Sequence, residues 1–154
     1  MPSTLEAAPD TAAFTAAAAL QKVLPELVAL SLDAKQAHWN VTGARFLALH
    51  ELTDRIAADA RAWADRVAER AVALGFAVDA RARTVAASDG QFPAGRLGDR
   101  EAIAELTAVI DRVAAATNVA LGDLTDADPV AHDALVAVVE GLDKYRWMLA
   151  AQAG

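Results

Sequence analysis

The sequence predicts an all-α protein: a four-helix bundle with one short extra helix in a long central connection. Three observations point there. Hydrophobic residues are 55% of the chain, and much of that share is alanine, the best helix former and small enough for helices to pack closely. Glycine, proline and aspartate gather near residues 43, 75, 89–93 and 122–129, dividing the chain into four long segments. Several of those segments open on a residue suited to capping a helix. At 154 residues the chain is one domain with room for a real core.

Residues 1–10, MPSTLEAAPD, read as a short mobile tail. They carry neither the basic nor the apolar region of a secretory leader, which predicts a cytoplasmic location, with nucleoid association as the alternative. The bundle domain is assigned to 11–151 and a closing tail to 152–154. Asp10 is the expected N-cap of a first helix over Thr11–Asn40. Lys22 and Glu26 interrupt its apolar run, which argues against a membrane span. Pro25 lies inside it and predicts a kink on the solvent side with one backbone hydrogen bond lost. Asn40–Ala44 is a turn, with Gly43 as its left-handed residue. The second helix follows to about Leu74 and is closed by Gly75.

Residues 76–98 form a long connection containing Asp89-Gly90 and Pro93. Asp79–Ser88 is its best short-helix candidate. A crossover of this length lets the third helix run parallel to the second. Asp99 is the expected N-cap of that third helix, which runs to about Leu121 and stops at Gly122. GDLTDAD is an acidic turn. Asp128 followed by Pro129 pairs an N-cap with proline at the first helical position, a strong start for a fourth helix to about Ala151.

Composition excludes several classes of function. There is no cysteine, so neither a disulfide nor a thiolate metal site exists. A net charge of -7 and a pI near 4.8 argue against a general nucleic-acid binder and suit a surface or pore that attracts cations. No repeat, phosphate loop, zinc motif or Ser-His-Asp arrangement stands out. His132 reads as a surface or helix-start residue, and Trp39 as a packing residue.

The chemistry concentrates between Lys35 and Glu69. With His50 set at zero and about 100° per residue, Asp54 falls at about 40°, Asp65 at about 60° and Glu69 at about 100°. All four share one helix face, and in each pair the second residue is i+4 from the first. Histidine with carboxylate suits a divalent transition metal, iron among them. Asp54 and Asp65 are separated by roughly 16 Å along the axis, whereas a metal–ligand bond is about 2 Å. One ion therefore cannot be held by both ends of the face. A second copy packed antiparallel, with a two-fold axis near residues 59 and 60, sets Asp65 and Glu69 of one subunit opposite His50 and Asp54 of the other, and does so reciprocally. The alternative use of this face is a solvated charged stripe, in which Arg61, at about 20°, pairs with the acids.

KQAHWNVTG, HELTD and WADRVAERAVALG, with LDKYRWML near the end, resemble the signature of the Dps mini-ferritins (DNA-binding proteins from starved cells). The likeness covers nearly the whole chain. It implies a ferritin-like bundle in which His38, His50 and Asp54 of one subunit and Asp65 and Glu69 of its two-fold mate bind iron. It implies ferroxidase activity at intersubunit di-iron sites, with hydrogen peroxide as the preferred oxidant. The ferric product is then stored in a hollow homo-dodecamer, which protects DNA from oxidative damage. It also implies an iron-entry pore on a three-fold axis, with Asp133 and, less directly, Asp128 lining it. The larger ferritins build their site within one bundle, using Glu-x-x-His pairs, and no Glu-x-x-His occurs here. Without the resemblance, the acids near the fourth helix start are explained as compensation of the helix dipole.

Two rival functions belong to other classes. A DNA-compacting nucleoid protein needs cationic tails, and the first cationic side chain here is Lys22, so DNA binding is expected to be weak or lacking. A metal-free adaptor bundle would leave the acidic face solvated.

Overall fold

The computed structural model describes residues 10–88 and 92–153. Residues 1–9 of the tail expected over 1–10, residues 89–91 of the long connection with its Asp89-Gly90 pair, and Gly154 lie outside the described residues. Within them the order is α1 (Thr11–Asn40), β1 (Val41–Thr42), α2 (Phe46–Ala73), α3 (Ala82–Val85), β2 (Leu97–Gly98), α4 (Asp99–Leu124) and α5 (Pro129–Ala153). The four long helices make the bundle. α1 packs on α2 and on α4, and α4 packs on α5.

Asp10 opens α1 by accepting from the amides of Ala12 and Ala13, both at 3.1 Å, which satisfies two donors that the first turn leaves orphaned. The helix continues through Pro25. Leu20, Val23, Leu27, Leu30 and Ala34 recur at helical spacing and are fully buried. Each buried leucine contributes about 1.5–3 kcal/mol of hydrophobic stabilisation. By length and composition alone α1 is apolar enough to cross a membrane. That stripe is instead covered by the neighbouring helices.

The turn after α1 contains a feature the sequence does not announce. β1 pairs in parallel with β2, Val41 with Leu97 and Thr42 with Gly98. The pair fastens the end of α1 to the start of α4. The connection after α2 must therefore run back along the bundle, and α4 runs parallel to α2, as its length predicted. Gly43 has φ +116°, and a Cβ there would lie 2.9 Å from the Asp99 carboxyl group. Both the backbone conformation and the space require glycine.

Asp99 does not cap its own helix as expected. Gly98 is the N-cap of α4, without a side-chain bond. The strand register carries Asp99 across to α2, where its Oδ2 accepts from the Arg45 amide at 3.1 Å and meets the Arg45 guanidinium at 3.5 Å. The Arg45 amide leads in holding the Asp99 carboxyl below the usual carboxylate range.

The long connection is tied to α1 by Gln21, whose amide donates to the Asp79 carbonyl and accepts from the Asp79 N–H, both at 2.8 Å. Its helix is a single turn rather than the ten residues expected. α4 also differs, because Gly122 does not stop it. Glycine inside a helix costs only about 1 kcal/mol relative to alanine, and α4 continues to Leu124. α5 begins as predicted at Pro129, and runs two residues past the expected end, to Ala153. Between α2 and α5, the ring of Trp63 lies over Gly141 so closely that a Cβ there would come within 2.2 Å of it.

Candidate metal centre

His38 lies in the last turn of α1 and His50 in the second turn of α2. The pinned turn between them brings their rings into a stack, with centroids 3.7 Å apart and planes 18° from parallel. Each Nδ1 lies 2.8 Å from the backbone carbonyl oxygen of the other histidine. A carbonyl oxygen only accepts, so each Nδ1 carries the hydrogen and donates. In the neutral rings both Nε2 atoms then present lone pairs, the form in which imidazole ligates a metal. A backbone carbonyl on the other ring nitrogen is the usual device for fixing that tautomer and orientation. The Phe46 ring stands 5.1 Å from His50.

Asp54 follows one turn after His50 and is exposed. Lys35 of α1 donates to its Oδ1 at 2.5 Å. That hydrogen bond, then the ammonium charge, holds the Asp54 carboxyl below the usual range, and His38 and His50 add to the effect. Lys35, Asp54, Ala57, Ala58 and Arg61 line a groove of about 180 Å³.

Asp65 and Glu69 lie farther along α2, also exposed. One chain thus brings His38 and His50 together, with Asp54 one helical turn on, and leaves Asp65 and Glu69 apart. Among the described residues, no three His, Asp or Glu side chains of a single chain converge as a metal site. The donor chemistry fits Fe²⁺, which imidazole and carboxylate both suit, but it is divided between two places on the surface.

Three of the acids around the start of α5 are engaged differently. Lys22 pairs with Asp123 at 3.0 Å. Asp128 is buried; Arg70 of α2 grips both its oxygens, and Oδ1 accepts from the Ala131 amide at 2.6 Å. Arg70 and the α5 amides hold its carboxyl below the usual range. Asp133 pairs with Arg66 at 2.9 Å, yet its side chain is 77% exposed. His132 sits in the first turn of α5, as expected.

Sequence reasoning missed Lys35 as part of the site, because it stands nineteen residues from Asp54 on another helix and no spacing rule links them. Trp39, expected to pack, is exposed in the single chain. With Phe46, Leu47 and Trp147 it belongs to a set of large apolar side chains left open to solvent.

Comparisons with known proteins agree with this fold. A family model described as a ferritin-like domain matches residues 17–154. The chain is 37% identical over 135 residues to DNA protection during starvation protein 2 of Deinococcus radiodurans, covering 86% of this chain and 56% of that protein. It thus spans little more than half the length of that relative. The DNA protection during starvation protein of Agrobacterium fabrum is 33% identical over 147 residues, 93% of this chain and 90% of its own. A Dps from Microbacterium arborescens, solved in a high-iron form, superposes with a TM-score of 0.89 at 37% identity, covering 95% of this chain and 96% of that one. The chain belongs to the Dps family of ferritin-like proteins.

Proposed function

We propose that copies of this chain assemble as a hollow dodecamer, oxidise Fe²⁺ at sites shared across two-fold axes and store the ferric product inside. The observation that carries this reading is the reciprocal His38–His50 pair. It fixes both rings through Nδ1 one helical turn before Asp54, while Asp65 and Glu69 stand on the same face of α2, roughly 16 Å farther along the axis. A two-fold mate running antiparallel supplies the missing carboxylates at both ends at once. The exposed Trp39, Phe46, Leu47 and Trp147 are apolar surface of the kind that subunit contacts bury.

His38, His50 and Asp54 hold the iron from one side, and Asp65 and Glu69 from the other. Three carboxylates favour the ferric state because they offset its additional charge. With hydrogen peroxide as oxidant, two Fe²⁺ ions each give one electron, the O–O bond breaks, and protons are released as the ferric ions hydrolyse to mineral. Consuming both reactants of hydroxyl-radical chemistry is the route by which this protein protects DNA. Iron enters along a three-fold pore with Asp133 at its wall. Asp128 contributes to the pore chiefly by fixing the start of α5. The site is tested by measuring particle size and then titrating the metal-free protein anaerobically with Fe²⁺ before adding peroxide. The reading expects a large closed particle, saturable Fe²⁺ binding and rapid oxidation; monomers that bind no Fe²⁺ would contradict it.

A further inference from the structure

We propose that Glu26, Asp33 and Arg112 form a proton-binding site inside the bundle, and that the proton it takes up closes α3 onto α1. None of the three belongs to the metal centre. The inference goes beyond the proposed function and does not rest on it.

Three observations carry it. The first is the cluster itself. Glu26 and Asp33 stand about two turns apart on α1, and Arg112 reaches both from α4. Its Nη1 lies 3.5 Å from Glu26 Oε2 and its Nη2 lies 3.8 Å from Asp33 Oδ2. The two acid side chains are each 17% exposed and that of Arg112 is 23% exposed. The second is how loosely the three are joined. Both separations exceed a hydrogen bond, and among the described residues none of these four buried atoms makes one. The third is the space beside them. Asp33 lines a cavity of about 340 Å³ between α1 and the central connection, which contributes Val85, Ala86, Ser88 and Phe92.

Charge counting shows why a proton belongs there. Two carboxylates and one guanidinium leave a net charge of minus one where few atoms meet water, and an uncompensated buried charge is costly. One proton makes the cluster neutral. Asp33 is the group that takes it. Burial pushes its carboxyl up to about 6, against the attraction of Arg112 and with the repulsion of Glu26. Among the described residues, Arg112 from α4 and Glu26 on its own helix are the charges that act on it, and α2 adds none. The connection faces the cavity with Ser88, which is polar but does not titrate.

An ionised Asp33 draws water into the cavity, which has room for it, since each molecule takes about 30 Å³ of liquid. A neutral Asp33 lets the apolar wall of Val85, Ala86 and Phe92 settle on α1. The change is local because the connection is fastened on both sides. Gln21 holds Asp79 at 2.8 Å, and the β1–β2 pair holds Leu97. The folded value of Asp33 exceeds the ordinary 3.8, so the folded chain is the better proton binder. Its stability therefore rises as pH falls through about 6 toward 3.8, opposite in sign to the effect of Asp128. Hydrolysis of ferric ions releases protons and so acts in the firming direction.

The test follows amide hydrogen exchange at residues 82–88 in the metal-free assembled protein from pH 7.5 to pH 5, corrected for the intrinsic pH dependence of exchange. Exchange there should slow several-fold in wild type as pH falls, with a midpoint near 6. Asp33→Asn, neutral at every pH, should hold the slow rate throughout. It should also melt higher than wild type at pH 7.5, with a gap that shrinks at pH 5. Glu26→Gln leaves Asp33 with Arg112 alone and should move the midpoint to lower pH. A wild-type rate without this step overturns the proposal, as does a step that survives unchanged in Asp33→Asn. If Asp33→Asn fails to assemble by light scattering, Glu26→Gln decides, and an unmoved midpoint overturns the proposal.

Discussion

Asp133 is the residue at which iron entry can be tested without touching a ligand. Its side chain is open to solvent although Arg66 pairs with it, and on a three-fold axis three such carboxylates would focus a cation-attracting potential. Asp133→Asn should slow iron uptake several-fold at low salt and leave oxidation at the site intact. Added salt should shrink the difference, because screening acts within about 8 Å at physiological ionic strength. Uptake kinetics of the variant at two salt concentrations check this, and equal rates at low salt would place the entrance elsewhere. Asp128 has a different fate. Buried against Arg70 and the α5 amides, it predicts a stability effect: Asp128→Ala should cost about 2 kcal/mol at neutral pH. Its folded carboxyl titrates below the ordinary 3.8. The stabilisation is therefore full above the unfolded value and is lost as pH falls through the depressed folded value. Thermal unfolding of both proteins from pH 7 to pH 3 should show the gap closing in acid; a gap that persists or widens there contradicts this role.

At the scale of elements, the turn between α1 and α2 decides whether there is a site at all. Gly43 allows the chain to pass under the Asp99 carboxyl group, and the β1–β2 pair holds it there. Gly43→Ala should displace the turn, loosen the histidine stack and reduce affinity for Co²⁺, a redox-stable stand-in for Fe²⁺, at least as much as it lowers the melting temperature. A variant that melts earlier yet binds Co²⁺ as wild type would show that the turn does not position the ligands. The helices themselves were legible: Asp10, Gly43, Gly75, Asp128 and Pro129 each mark the boundary assigned to them, because caps and left-handed turns depend on local chemistry. The errors have a common cause in tertiary contacts. Asp99 reads as the cap of α4 and instead accepts from the amide of Arg45, the residue before α2, since a parallel pairing across fifty-odd residues delivers it there. Gly122 looked like a stop and is helical, since helix on both sides of it outweighs one glycine. The grouping of His50, Asp54, Asp65 and Glu69 on one face was readable from the helical period. The stack with His38 followed only in outline, and Lys35 not at all, because contacts between helices leave no periodic trace.

At the scale of the whole molecule, charge argues against the DNA binding that the family name suggests. Affinity for duplex DNA comes largely from cations that neutralise phosphates and release counterions. The chain has 14 Lys and Arg against 21 Asp and Glu. Arg81, the first of a loose cluster with Arg83, Arg96 and Arg100, is already bound twice by Asp79, both bonds at 2.9 Å. A gel shift of metal-free protein near 150 mM salt and neutral pH should therefore show no retained complex, and a complex at submicromolar protein would contradict the charge argument. The central claim, that each site is made by two subunits, is tested most directly by shells of mixed composition. His50→Ala and Glu69→Ala shells should each oxidise Fe²⁺ poorly. In a dimer of one of each, one site receives both defects and the other receives none. Random pairing of equal amounts makes half the dimers mixed, so about a quarter of all sites are whole again. Co-expressed shells should recover about a quarter of wild-type oxidation. Residual activity no higher than that of either single-variant shell would contradict the shared site.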